Sequence, residues 1–327
     1  MSPPSSLLHS LHSFNLPPTD ATRLADYAAA TAMPIDGAMS RLSQLRFGID
    51  SNIVTADEAA VLLRSQPELL RRAFGVALET DSLVCAAKPC DTLLSPDKDG
   101  KPRWPGEVNL RDWLSREHPL TTTEDGSGEV RLCHNLDFAT SGVIVAAKSK
   151  EAANDVSRCF RDRVARKLYC ALVFDHPPWQ ATLWDARIQP STRKFKQRIS
   201  GGGKKAETWV SVAARGKLTV GENAGRDASL LWLEPKTGRR HQLRLHCSHG
   251  GHAIVGDLTY AKDRLMYRMF LHAASLELPL EGGDVRCEAP LSPSHLAPAG
   301  WTDVFEAEEE LRSPEGWEGA AERLIIK

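Results

Sequence analysis

Three stretches of the 327-residue chain concentrate side chains able to do chemistry. The first is HNLDFATSG, from His134 to Gly142, a carboxylate set among small hydroxyl residues and glycine. The second is Lys167-Leu-Tyr169, and the third is EPKTGRRHQLRLHCSHGGHAIVGDLTY, from Glu234 to Tyr260, dense in arginine and histidine. Taken singly, each has an ordinary reading. Asp137 fits a turn aspartate bonding its own backbone, Tyr169 a core residue, and Arg244 a surface residue or phosphate contact. Spacing argues against two ready-made chemistries. His241, His246, Cys247, His249 and His252 lack the paired C-x-x-C or H-E-x-x-H arrangement that gathers ligands around zinc. GGGKK, from Gly201 to Lys205, lacks the Gly-x-x-x-x-Gly-Lys-Ser/Thr of a phosphate loop.

Together and in this order, the three stretches resemble the motifs of the RluA-type RNA pseudouridine synthases. That family's loop usually reads His-Arg-Leu-Asp, two variable residues, then Thr-Ser-Gly; Lys167-Leu-Tyr169 matches its Lys-x-Tyr motif, and the long block its third motif. Lys88-Pro89 and LHAASLELP, from Leu271 to Pro279, supply further landmarks, so the likeness covers about Val76 to Pro293. The resemblance implies that Asp137 is the nucleophile, that Tyr169 offers its ring to uracil, and that Arg244 pairs with the aspartate. The chemistry wants such groups. A uridine within structured RNA must be extruded, at a cost of a few kcal/mol. A carboxylate attacks covalently only while ionised, and a pyrimidine pocket would desolvate it, so a fixed cation is needed beside it. The bond between base and ribose breaks, the uracil turns, C5 joins C1′, and the C5 proton leaves. Tyr169 could assist that last step only with environmental help, because a free phenol is a weak base at neutral pH. No cofactor or metal is required.

The same resemblance implies RNA as the partner, whether transfer, ribosomal or messenger. Its expected contacts are His134, Asn135, Arg163, Arg166, Lys167, Arg239, Arg240 and His241, with GGGKK as a mobile RNA-contacting loop. His134 is also expected to shape the catalytic loop by hydrogen bonding. One position departs from the family: Asn135 stands where an arginine is usual, and it can neither stack nor neutralise phosphate as arginine does. A non-catalytic RNA-binding or folding-assistant protein using the same cleft is the rival reading, and a metal enzyme built on the histidine cluster a more distant one.

The elements that must hold these residues follow from periodicity and turn signals. Residues 1–20, rich in Pro and Ser, read as a flexible arm, and 21–75 as a helical extension with no evident chemistry, where Thr55 and Glu58 suit a capping box. From residue 76, VALETDSLVCAAKP reads as strand, turn and strand, Asp91–Gly106 as a loop, and VNLRDWLSREH as a short helix. Two apolar runs flank the Asp137 loop, a helix spans about 150–163, and strands follow at KLYCALVF, AETWVSVAAR, ASLLWLEP and FLHAASLELPL. The reading is an α+β domain over 76–300, with a mixed, largely antiparallel sheet and flanking helices as the resemblance implies, then an acidic tail over 301–327.

Composition is compatible with this and names nothing. A net charge of -1 means that any polyanion site must come from local clusters, seen at Arg158–Lys167, Arg193–Lys205 and Arg239–Arg244, with acids crowding the end. Seven unpaired-looking cysteines read as reduced thiols and hence an intracellular setting, cytoplasmic by default. The acid-poor start is faintly like a mitochondrial or plastid transit peptide, though no arginine precedes Arg23. No apolar run is long enough to span a bilayer, so a soluble protein is expected, with a monomer as the default.

Overall fold

The computed structural model describes residues 5–14, 16–30, 35–50, 55–65, 74–96, 100–104, 106–117, 131–193, 196–219, 223–263, 266, 268–289 and 305–308. Four helices come first: α1 (Ser5–His12), α2 (Pro18–Ala30), α3 (Ile35–Asp50) and α4 (Ala56–Ser65). The flexible arm expected at the start is corrected here. Leu7, Leu11 and Phe14 recur at helical spacing and are buried with Leu24, Ala28 and Leu42 of the next helices, which outweighs the Pro and Ser content of the segment. The capping box forms as expected: Thr55 N donates to the Glu58 carboxylate at 2.7 Å, and Glu58 N to Thr55 Oγ1 at 3.1 Å.

Next come β1 (Gly75–Glu79), β2 (Leu83–Lys88), α5 (Leu110–Glu117), β3 (Arg131–Leu132), β4 (Ser141–Ala147) and α6 (Lys150–Arg161). The chain continues through β5 (Arg166–Phe174), β6 (Ala181–Trp184), β7 (Ile188–Pro190), β8 (Gln197–Ile199), β9 (Thr208–Leu218) and β10 (Asp227–Pro235). It ends with α7 (Gln242–His249), β11 (Leu271–Leu278), β12 (Val285–Glu288) and β13 (Phe305–Ala307). The main sheet runs β1-β2-β4-β11-β5-β10-β9-β13, with β3, β6 and β12 paired alongside. Its pairs are antiparallel apart from β4 and β11. The fold is therefore α+β, with a mixed, largely antiparallel sheet. Phe305 is buried and β13 pairs with β9, so the expected acidic tail contains a strand; residues 309–327 lie outside the described ones.

Helices cover the sheet at the end that carries Asp137. Leu83 and Cys85 of β2 pack with Val156 and Cys159 of α6, while Val84 and Ala86 pack with Leu110 and Leu114 of α5. β4 is buried at every position and shows no alternation, since both of its faces are covered. Gly142 has φ +111°, and a Cβ there would overlap the backbone of Ala273, so only glycine lets β4 close on β11. In the same core Cys85 and Cys287 form a disulfide, against the expectation of reduced thiols; the other five cysteines are free. Strands 202 residues apart in sequence bring that pair together, and spacing carries no trace of it. The expected mobile GGGKK loop is also corrected. Lys204 exchanges backbone bonds with Ile188 at 2.8 and 3.0 Å, and Gly203 sits too close to Ile188 to accept a side chain.

Candidate active site

Asp137 lies on the loop entering β4, partly open to solvent, and Arg244 reaches it from the first turn of α7. The guanidinium Nη1 stands 3.3 Å from the Asp137 carboxylate. Its opposite edge is gripped by Asp257, with Nε–Oδ2 and Nη2–Oδ1 both at 2.8 Å. Asp257 is almost fully buried and its Oδ1 also accepts from the backbone N–H groups of Thr259 and Tyr260 at 2.8 and 3.1 Å. The Tyr260 ring lies under the guanidinium carbon at 5.2 Å. Burial alone would disfavour the charge on Arg244. The bonds and charge of Asp257, followed by Asp137, more than offset that and hold the guanidinium above its ordinary range. A carboxylate with a fixed, permanently charged partner and one open side is suited to nucleophilic attack.

The loop beneath Asp137 is tied down by residues whose side chains point inward. Lys88, 2% exposed, donates to the carbonyls of Pro89, Thr92 and Phe138 at 2.9, 3.0 and 3.0 Å. His134 accepts from Val145 N–H through Nε2 at 3.0 Å, so that nitrogen carries no proton. Burial, then the charge of Lys167, pushes this imidazole down to about 4. At the start of β4, Arg268 donates to Ser141 Oγ at 2.6 Å, and the same hydroxyl hydrogen-bonds His272 Nδ1 at 2.7 Å. Burial, then Arg268, pushes His272 down to about 3.

Tyr169, in β5, packs against Leu136 and the core behind the loop and lines the same cleft as Asp137. Its phenol is raised well above the ordinary value, first by burial and then by the Asp137 charge. The surroundings therefore work against the basic role that the sequence left open. Lys167 lines the cleft too, its ammonium lowered chiefly by burial. Asn135, Arg163, Arg239, Arg240 and His241 are also on the cleft wall. Arg166 is not among its lining residues; it faces Glu277 at 3.4 Å and Glu234 at 3.8 Å.

The register of α7 is set by Gln242. Its amide accepts from Thr237 Oγ1 and Arg239 N and donates to Glu207 O and Thr208 Oγ1, at 2.7 to 3.0 Å. Thr208 in turn meets His246 Nδ1 at 2.9 Å, while His246 Nε2 meets Ala186 O at 2.9 Å. The histidine cluster is thus dispersed: His241 meets Tyr260, and His252 meets Phe174 O. No group of three metal-binding side chains occurs among the described residues. The cleft measures about 1360 Å³ and, beyond the expected residues, is walled by Arg41, Gln44, Leu45, Phe47 and Gly48 of α3. Sequence reading assigned no role to Asp257, Lys88 or Gln242, nor to α3. A buried arginine needs a carboxylate, and Asp257 follows Arg244 by thirteen residues within the same motif block.

A family model described as RNA pseudouridylate synthase matches residues 82–249, just over half of the chain. RNA pseudouridylate synthase domain-containing protein 1 of Danio rerio is 39% identical over 197 residues, 57% of this chain and 66% of that protein. The chain thus spans just under two thirds of that relative's length. Dual-specificity RNA pseudouridine synthase RluA of Escherichia coli (strain K12) is 37% identical over 182 residues, 54% of this chain and 80% of that protein. A solved structure of human RNA pseudouridylate synthase domain containing 1 aligns with TM-score 0.61 and 27% identity, over 77% of this chain and 95% of that one. On motif, fold and relatives alike, the chain belongs to the RluA-type RNA pseudouridylate synthase family.

Proposed function

We propose that the protein isomerises uridine to pseudouridine in RNA, with Asp137 as nucleophile, Arg244 as its fixed counter-charge and Tyr169 as the face against which uracil lies. The observation that carries this reading is the 3.3 Å approach of Arg244 to Asp137, with Asp257 bracing the arginine from behind. The target uridine leaves its stack to enter the cleft. With Asp137 engaged, the C1′–N1 bond breaks, the uracil turns against Tyr169, C5 bonds to C1′, and the C5 proton passes to solvent. N1 takes up a proton from solvent in exchange, so the product is an isomer of the substrate and no co-reactant is consumed. Arg163, Lys167, Arg239 and Arg240 meet the RNA backbone, and binding weakens with salt as counterions compete. Residues 76–300 act as the catalytic unit and the protein works as a monomer.

The test uses total cellular RNA tritiated at uracil C5. Wild-type protein releases tritium to water and Asp137→Ala does not. Release by neither, alongside salt-sensitive RNA binding, would mark the chain as an RNA-binding protein without turnover.

A further inference from the structure

Of the N-terminal helices, silent in sequence, α3 and α4 border the reaction cleft. Arg41, Gln44, Leu45 and Gly48 follow one another at i, i+3, i+4 and i+7 and line the cavity that holds Asp137, the spacing of a single helix face. That face is fixed in place. Arg41 forms an ion pair of 2.9 Å with Asp91, and both side chains are largely buried.

From α3 a series of flat groups leads toward the nucleophile. The rings of Phe47 and Trp104 stand 5.6 Å apart. The Arg103 guanidinium carbon lies 4.4 Å from the Trp104 ring and 4.9 Å from that of Phe138, the residue next to Asp137. All four side chains line the cleft. Trp104 is 4% exposed, and its buried indole N–H has no acceptor among the described residues; its ring backs Phe47 and Arg103. The cavity, at about 1360 Å³, exceeds the roughly 300–1,000 Å³ of pockets that enclose a drug-sized ligand. It has room beside the nucleotide at Asp137. Aromatic rings and arginine planes are the usual platforms for unstacked RNA bases, whatever their sequence.

We propose that Phe47, Trp104, Arg103 and Phe138 form a second nucleobase subsite, which holds an unpaired base of the RNA strand flanking the target uridine. α3 thereby takes part in choosing the substrate. The class of ligand rests on the synthase reading above, and the test separates the two.

Binding of a fluorescein-labelled oligouridylate is measured by anisotropy on the full chain carrying Asp137→Ala, so that no turnover intervenes. Phe47→Leu keeps the apolar packing and removes the aromatic face; Phe47→Tyr keeps both. The Leu variant weakens binding about 10-fold, within the range for loss of one base stack, at unchanged thermal unfolding temperature. The Tyr variant stays within about twofold of the parent, and neither changes the salt slope. With Asp137 restored, Phe47→Leu raises KM for tritiated RNA and leaves kcat alone. Wild-type affinity in Phe47→Leu, or equal loss in both variants, would overturn the subsite. Weakened binding by Phe47→Leu without tritium release from any protein would leave the subsite standing and remove the synthase reading instead.

Discussion

Asp257 holds Arg244 more closely than Arg244 holds Asp137. Two bonds of 2.8 Å fix one edge of the guanidinium, while the other edge meets Asp137 across 3.3 Å. The buried acid thus sets where the positive charge stands. Asp257→Asn removes one partner of a buried ion pair and should cost about 3–5 kcal/mol of stability, read by denaturant unfolding. Because the charge also shifts, kcat should fall by about 10- to 100-fold with KM little changed. Wild-type values of both would show that Arg244 needs no anchor.

Replacing Asp137 should separate chemistry from binding. Asp137→Asn keeps the Asp257 grip on Arg244, so the fold should change by no more than about 1 kcal/mol. Tritium release should drop more than about 1,000-fold, with RNA affinity retained within a few-fold by filter binding.

The phenol of Tyr169 is raised by burial and by Asp137, so it should not open a basic limb in the rate. The pH profile of kcat should therefore show no rise near pH 10, the ordinary tyrosine value. A rise there that disappears in Tyr169→Phe would restore the tyrosine as a base.

Acid should loosen the Asp137 loop. His272 and His134 sit near 3 and 4 in the folded protein, below the 6.5 of an exposed imidazole. Between those limits the unfolded chain binds more protons, so stability is full above about pH 6.5 and is lost as pH falls toward 3. His272 alone accounts for about 5 kcal/mol at 1.36 kcal/mol per pH unit. Urea midpoints measured from pH 7 to pH 4 should decline, and the decline should shrink in a neutral replacement such as His272→Gln that still folds.

Lys88→Met should uncouple the loop from the sheet. Three carbonyls would lose their shared donor, at about 1–3 kcal/mol for each one left buried and unpaired. Lower thermal stability together with lower kcat is expected; an active, equally stable variant would show that the loop holds itself.

Much of this arrangement was legible in the sequence because each element carried its own local signal. The capping box at Thr55 and the strand-turn-strand around Glu79 to Ser82 were written in neighbouring residues. The pairing of Asp137 with Arg244 was legible only through the order of the motifs. What stayed hidden was set by contacts between distant parts of the chain. Arg166 faces Glu277, 111 residues later, a neighbour that no local pattern declares. β6, β7 and β8 are three or four residues long, too short for alternation to declare them. α3 is tied to the Asp91 loop by the Arg41–Asp91 pair, which no local pattern foretells.

The position of β11 governs when the site can exist at all. It lies between β4, which follows the Asp137 loop, and β5, which carries Tyr169. A ribosome has made both of those strands long before it reaches Leu271, yet they share no edge with one another. Until this strand pairs with both, the loop of Asp137 and the ring of Tyr169 have no shared sheet to hold them together. Premature termination anywhere upstream of Leu278 should consequently yield an inert fragment, however intact its motifs. Assembly of the cleft around Asp137 and Tyr169 thus waits on long-range pairing, which folds slowly.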